Sequence, residues 1–316
     1  MTSVMSRVVI PRFLRLTRAN RAYIDADAAR ARVVERSVRP LDYGPPRRLR
    51  GVAVSVVVTD GWPVYTLRPV DRASRGGLVY AHGGGWVGEI APQHWQLAAR
   101  LAAQVGLTVT VPIYPLIPSG TAAQVIPRVA QLVTASRANH GPTFLAGDSA
   151  GGQIALSTAL HLRDTGQQAP PRTVLIAPAL DLTLENPQIE LVQPRDPWLG
   201  KPGGLVFGAL WSGELSMRDP MVSPLFGDFT GLGPLTVFTG TDDILNPDAR
   251  LLLGKARAAG VEVDFHEGHG LVHVYPLTPS REGAAARRHI VTALRADLRR
   301  SLSAGRGDGS AGWSAE

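Results

Sequence analysis

Phe144-Leu145-Ala146-Gly147-Asp148-Ser149-Ala150-Gly151-Gly152 runs from an apolar, strand-like stretch into Gly-x-Ser-x-Gly and then into a helical pattern over residues 150–163. A serine on a sharp strand-to-helix turn points its Oγ away from the backbone. Crowding at such a turn demands small neighbours, here Gly147 and Gly151. The helix that follows offers free N–H groups and a positive dipole end to developing negative charge. The five-residue pattern alone arises by chance in roughly one chain in five of this glycine content. The strand before it and the helix after it are what set this copy apart from an ordinary turn serine.

Working outward, strand and helix alternate from residue 77 onward. Strands are expected at 78–81, 107–113, 143–146, 173–176, 235–239 and 261–265. Helices are expected at 93–104, 122–138, 150–163, 248–259 and 281–302, the second with a tolerated proline near its start. Before them, two β-branched runs at 52–58 and 64–67 flank Asp60-Gly61, a hairpin signature. Residues 12–37 read as one helix, closed by Pro40, Pro45 and Pro46. The expectation is an α/β fold: a mostly parallel, eight-stranded sheet with helices on both faces. Residues 180–220 lack periodicity and read as an insertion over the sheet, and 303–316 as a disordered tail.

Composition narrows the chemistry. The 316 residues contain no cysteine, which removes disulfides, thiolate metal sites and cysteine nucleophiles together. Basic residues number 33 against 26 acidic, for a net charge of +7. The first 50 residues hold 12 arginines against 4 acidic residues, so the rest of the chain is close to neutral. A basic segment of this kind can meet nucleic acid or anionic lipid, but a solvated amphipathic helix explains it as well. Arginines interrupt the N-terminal apolar run, and four prolines break the longest uncharged stretch at 101–127. Neither a secretory leader nor a membrane span is expected, and the location expected is cytoplasmic.

A serine nucleophile needs a base, and the base needs an orienting carboxylate. His82-Gly83-Gly84-Gly85-Trp86 follows the strand at 78–81. Its glycines let backbone N–H groups approach a ligand, and with the Ala150 N–H they can form an oxyanion hole. The loop lacks the Gly-Lys-Ser/Thr of a phosphate loop. The later strands end in Gly240-Thr241-Asp242-Asp243-Ile244-Leu245-Asn246-Pro247-Asp248 and in Glu267-Gly268-His269-Gly270-Leu271-Val272-His273. That gives the order Ser, Asp, His of α/β-hydrolases. Chemistry alone leaves Asp242, Asp243 and Asp248 competing for the acid, and His269 and His273 for the base. His266, at the end of a strand, is a weaker candidate.

Here the chain resembles the hormone-sensitive-lipase-like branch of the α/β-hydrolases, the bacterial family IV esterases. The resemblance rests on residues 82–86, 114–118, 147–152, 240–248 and 270–275. It implies Asp243 as the acid, the fourth residue of Gly-x-x-Asp-x-Leu, and His273 as the base. It also implies Gly84, Gly85 and Ala150 as oxyanion donors, and a helical lid from N-terminal residues 1–50 and an insertion at 183–217, over a catalytic domain at 51–302. One departure is Ile117-Pro118-Ser119, where many members carry Ala-Pro-Glu.

The activity so implied is a serine carboxylic ester hydrolase acting on short- to medium-chain acyl esters, with no metal or organic cofactor. Phe13, Leu16, Trp198, Leu205, Phe207 and Trp211 are candidates for an apolar substrate pocket. The partner expected is a small-molecule ester, with no nucleic acid and no stable membrane insertion; a homodimer is left open. An amidase or peptidase would use the same triad. A non-catalytic ligand binder, like the related plant hormone receptors, would lack the histidine present here as His273. Asp148, beside the nucleophile, is expected to be structural, and His94, His140 and His269 to lie at the surface or in loops.

Overall fold

Four strands in the middle of the chain are buried from end to end, as strands between two helical layers must be. They belong to one eight-stranded sheet in the computed structural model, which describes residues 3–307. The strands are β1 (Val52–Thr59), β2 (Trp62–Pro69), β3 (Gly77–Ala81), β4 (Thr108–Pro112), β5 (Thr143–Asp148), β6 (Thr173–Ile176), β7 (Leu235–Asp242) and β8 (Val263–Val272). Their order is β1-β2-β4-β3-β5-β6-β7-β8. β2 runs antiparallel to β1 and β4, and every other pairing is parallel. The β1–β2 turn has positive φ at both Asp60 (50°) and Gly61 (81°), the conformation a two-residue hairpin with right-handed strand twist requires.

The helices are α1 (Ile10–Leu16), α2 (Arg21–Ile24), α3 (Ala26–Val38), α4 (Pro92–Leu101), α5 (Ala122–His140), α6 (Ala150–Asp164), α7 (Gln188–Val192), α8 (Lys201–Ser212), α9 (Asn246–Ala258) and α10 (Arg281–Gly307). Alternation along the strands splits the core in two. Val79, Ala81, Leu145 and Leu175 face α5, α6 and α9, in a layer that also takes in Ala29 and Val33 of α3 and Phe207 and Trp211 of α8. Leu78, Tyr80, Phe144 and Val174 face α4 and α10. Among the described residues no helix is long and apolar enough to cross a membrane.

Several boundaries differ from the sequence reading, three of them for a visible structural reason. The single helix expected over 12–37 is broken twice. Arg18 adopts φ 52° after α1, and Asp25 leaves helical geometry to cap α3, its carboxylate accepting from the Ala28 N–H at 2.6 Å. At the other end α10 continues through residue 307, so the first residues of the expected tail are helical; 308–316 lie outside the described residues. β8 extends to Val272 rather than ending at 265, because residues 266–272 continue to pair with β7 across an irregularity at Gly240–Asp242. The N-terminus is tied down by polar contacts. Ser3 Oγ and Ser6 Oγ donate to Glu282 of α10 at 2.7 and 2.6 Å.

Candidate active site

Ser149 sits between β5 and α6 with φ 53° and ψ −119°, a conformation L residues adopt only where surrounding structure enforces it. Here the enforcement is visible. A Cβ on Gly147 would lie 2.0 Å from the Gly151 carbonyl, and one on Gly151 would lie 2.1 Å from the Ala81 carbonyl. The turn is thus pressed between its own helix and β3, with the Ser149 N–H donating to Ile176 O of β6 at 2.8 Å.

Of the three competing carboxylates and two competing histidines, one pair meets the serine. His273 Nε2 lies 2.9 Å from Ser149 Oγ, and His273 Nδ1 lies 2.8 Å from Asp243 Oδ2. Asp243 is fully buried, and its other oxygen accepts from the Leu245 N–H at 2.9 Å. Burial disfavours a charged imidazole at His273. The charge and hydrogen bond of Asp243, with Asp196 and Asp148 farther off, outweigh it and hold the pKa above the ordinary histidine value. Asp242 instead pairs with Arg195 at the surface, and His269 is exposed. Asp248 is buried on α9, accepting from Asn186 Nδ2 at 2.8 Å, while its second oxygen has no partner among the described residues. His266 lies on the body of β8.

The glycine loop faces this group. Gly84 (φ 128°) and Gly85 (φ 62°) both need the freedom glycine gives, and their N–H groups make no hydrogen bond to any described residue. Asp148 joins loop to serine turn: it accepts from the Gly83 N–H at 3.1 Å and from the Tyr80 hydroxyl, and pairs with His94 Nε2 at 3.2 Å. Burial alone would raise its pKa, yet the neighbouring His94 ring and the Tyr80 hydrogen bond hold it below the usual carboxylate range. His82 is stacked on Tyr114 and lowered to about 4 by burial and by His94, so it stays neutral.

His94 is therefore a buried partner on α4 and not the surface or loop residue the sequence implied. Three other residues escaped the sequence reading. Gln153 on α6 is fully buried, accepting from Trp86 Nε1 at 3.2 Å and Trp211 Nε1 at 3.0 Å while donating to Ser157 and Met221 O. Asp196 accepts from the N–H groups of Trp198, Leu199 and Ile244 at 2.8–2.9 Å. Burial and the charge of Asp243 raise its pKa. Tyr23 of α2 reaches over the glycine loop: a Cβ on Gly85 would lie 2.6 Å from its hydroxyl.

A small cavity of about 40 Å³ touches Ser149, with Gly85, Tyr23, Leu182, Leu199 and Ile244 among its walls. A larger recess of about 800 Å³ opens beside it, lined by Gly84, Trp198, Phe207, Tyr23 and the charged Arg18, Arg21, Arg32 and Glu35. Trp198 also packs edge-on against His273, with ring centroids 5.7 Å apart. The expected apolar pocket is thus half right. Trp198 and Phe207 line the recess, and Phe13 lines a separate groove beside Val274. Trp211 is fully buried against Trp86, Leu16 projects into solvent, and Leu205 packs on the core.

A sequence profile of the alpha/beta hydrolase fold matches residues 78–277, a span that holds the glycine loop, Ser149, Asp243 and His273. The chain is 33% identical over 220 residues to a triacylglycerol lipase of Mycobacterium tuberculosis, covering 69% of this chain but 46% of that protein. It therefore spans less than half of the lipase's length. It is 31% identical over 229 residues to an acetyl-hydrolase of Streptomyces hygroscopicus, covering 71% of this chain and 76% of the other. A solved esterase from the bacterial hormone-sensitive lipase family matches at 25% identity and a TM-score of 0.76, covering 94% of this chain and 100% of that one. With sheet order, profile and relatives in agreement, the chain belongs to the α/β-hydrolase fold family.

Proposed function

We propose that the chain hydrolyses short- to medium-chain acyl esters, with Ser149 as nucleophile, His273 as general base and acid, and Asp243 as the carboxylate that orients the base. The supporting observation is the placement of His273, with one ring nitrogen on Ser149 Oγ and the other on Asp243. Ser149 Oγ attacks the ester carbonyl carbon as its proton passes to His273 Nε2. Asp243 holds the proton on Nδ1, so Nε2 begins the reaction as an acceptor, and it stabilises the imidazolium that forms. The oxyanion settles on the N–H groups of Gly84, Gly85 and Ala150, each contributing ~3 kcal/mol to lowering the barrier. His273 then protonates the departing alkoxide. Water, deprotonated by the same nitrogen, attacks the acyl-enzyme and releases the acid and free Ser149. No step calls on a metal or an organic cofactor.

The cavity of about 40 Å³ against Ser149 favours a short acyl group, and the 800 Å³ recess gives the alcohol portion more room. Residues 1–50 and 183–217 act in this reading as the lid: Tyr23 and Phe207, one from each, pack edge to face at 5.3 Å above the glycine loop. The test is hydrolysis of p-nitrophenyl esters from acetate to palmitate, with Ser149→Ala and His273→Ala as controls. Turnover should peak at short or middle lengths and vanish in both variants. A folded chain that cleaves none of these esters but cleaves the matching anilides would be an amidase. A peak at palmitate would overturn the acyl-size reading.

A further inference from the structure

Two histidines and an aspartate converge away from the serine site. Asp264 and His266 lie in the first half of β8, beside Thr236 and Phe238 of β7, and His289 reaches them from α10. His266 Nε2 is 2.7 Å from Asp264 Oδ1, His289 Nε2 is 2.6 Å from Asp264 Oδ2, and the two Nε2 atoms are 3.0 Å apart. Hydrogen bonding cannot satisfy all three contacts at once. If both Nε2 atoms carry protons, each donates to the carboxylate and the two N–H groups oppose each other. If only one carries a proton, the lone pair of the other faces a carboxylate oxygen. Neither ring uses Nδ1 in a hydrogen bond among the described residues.

We propose that Asp264, His266 and His289 form a binding site for a divalent transition-metal ion of the Zn²⁺ class, tying α10 to the edge strand β8. With both rings protonated at Nδ1, the two Nε2 lone pairs and a carboxylate oxygen all serve the cation, and the conflict disappears. Two imidazoles and one carboxylate are a donor set that suits Zn²⁺, Ni²⁺ and Cu²⁺ rather than Mg²⁺ or Ca²⁺. Ligands around a tetrahedral ion at ~2.0–2.1 Å lie ~3.3 Å from one another, so the side chains need only part slightly. Phe238 holds both rings in place, stacked on His266 at 4.6 Å and edge-on to His289 at 6.1 Å. The three side chains are 30–42% exposed, which leaves an ion a way in and room for water as a further ligand. The absence of cysteine excludes thiolate zinc sites and leaves this nitrogen and oxygen set untouched. The site is independent of the ester-hydrolase reading.

Calorimetric titration of chelator-stripped full-length protein with Zn²⁺ tests it, paired with thermal melts with and without the ion. One equivalent should bind and raise Tm. His289→Ala and Asp264→Asn should each weaken binding by more than ~10-fold, since losing even a supporting partner of a ligand costs ~10–100-fold. His269→Ala, which removes an exposed histidine nearby in sequence, should bind like the parent. His289→Ala should melt like the parent without Zn²⁺ but gain nothing from it; His289→Gln takes its place if the alanine variant does not fold. No binding to the parent, or binding that survives loss of His289, overturns the proposal.

Discussion

Replacing Asp243 with asparagine isolates what its negative charge does for His273. Among the described residues the Asp243 carboxylate has two hydrogen bonds, one from the Leu245 N–H and one from His273 Nδ1. An asparagine can keep the first with its carbonyl oxygen, which turns its NH₂ toward Nδ1. Nδ1 must then accept, so the proton moves to Nε2 and that atom can no longer take the serine proton. A wrong tautomer of this kind lowers kcat by ~10⁴-fold, equivalent to ~5.5 kcal/mol of barrier. The opposite flip would leave the buried Leu245 N–H unpaired, at ~1–3 kcal/mol of stability, so the first arrangement prevails and Tm should hardly move. Loss of the carboxylate charge also removes the main influence raising the pKa of His273, so the acidic limb of the residual activity should move to lower pH. The assay is steady-state hydrolysis of p-nitrophenyl butyrate between pH 5 and 9, with Asp242→Asn as control. Among the described residues the Asp242 side chain makes only a surface pair with Arg195 at 3.3 Å, so its loss should change kcat by less than ~3-fold. Retention of more than a tenth of kcat in Asp243→Asn, or a large loss in Asp242→Asn, would refute the assignment of the carboxylate.

Two further outcomes follow from titrating groups. In the proposed reaction His273 must be neutral to accept the serine proton, and its pKa is held above the ordinary histidine value, so kcat/KM should fall as pH drops through a region above 6.5; a flat profile down to pH 5 would exclude a histidine base. Asp248 is raised from 3.8 to about 7, chiefly by burial. The folded state therefore holds this proton more tightly than the unfolded chain. The associated stability is complete below pH ~4 and lost as pH rises through about 7, by at most ~4 kcal/mol. Asp248→Asn should flatten that decline in urea melts, whereas parallel curves for parent and variant would show that burial of Asp248 does not govern it.

Steric demands were the most legible part of the sequence. Gly147 and Gly151 flank Ser149 because a side chain at either would strike a backbone carbonyl, and that constraint is written in consecutive residues. Asp60-Gly61 announced its hairpin for a similar local reason. Adjacent Asp242 and Asp243 were harder. Which of them points inward depends on the β7–β8 irregularity at Gly240–Asp242, where a Cβ on Gly240 would lie 2.2 Å from Leu271 O, and only a resemblance separated them beforehand. The breaks at Arg18 and Asp25 could have been anticipated at one point. Asp25 precedes a helix-favouring run as a capping residue does, but the continuous arginine and alanine pattern hid it. His94 and Gln153 were missed because their partners, Asp148, Trp86 and Trp211, lie dozens of residues away. The pocket was overestimated for the same reason: apolar character marks Leu16 and Trp211 alike, yet one is bare and the other sealed.

The carboxylate of Asp148 has a consequence for how this protein can change. It sits one residue before the proposed nucleophile and grips the glycine loop directly, so the spacing between the two is set beneath the cleft by Gly83, Tyr80 and His94. The segments that wall the cleft from above, carrying Tyr23, Leu199 and Phe207, have no part in that grip. The spacing of glycine loop and serine turn and the width of the cleft are therefore set by different residues, although Trp198 against His273 and Asp196 on the Ile244 N–H tie the upper wall to the other side of the site. Substitution at Tyr23, Leu199 or Phe207 can resize the cleft while the loop-to-serine spacing holds, whereas a graft that replaces Asp196 and Trp198 also disturbs the His273 side.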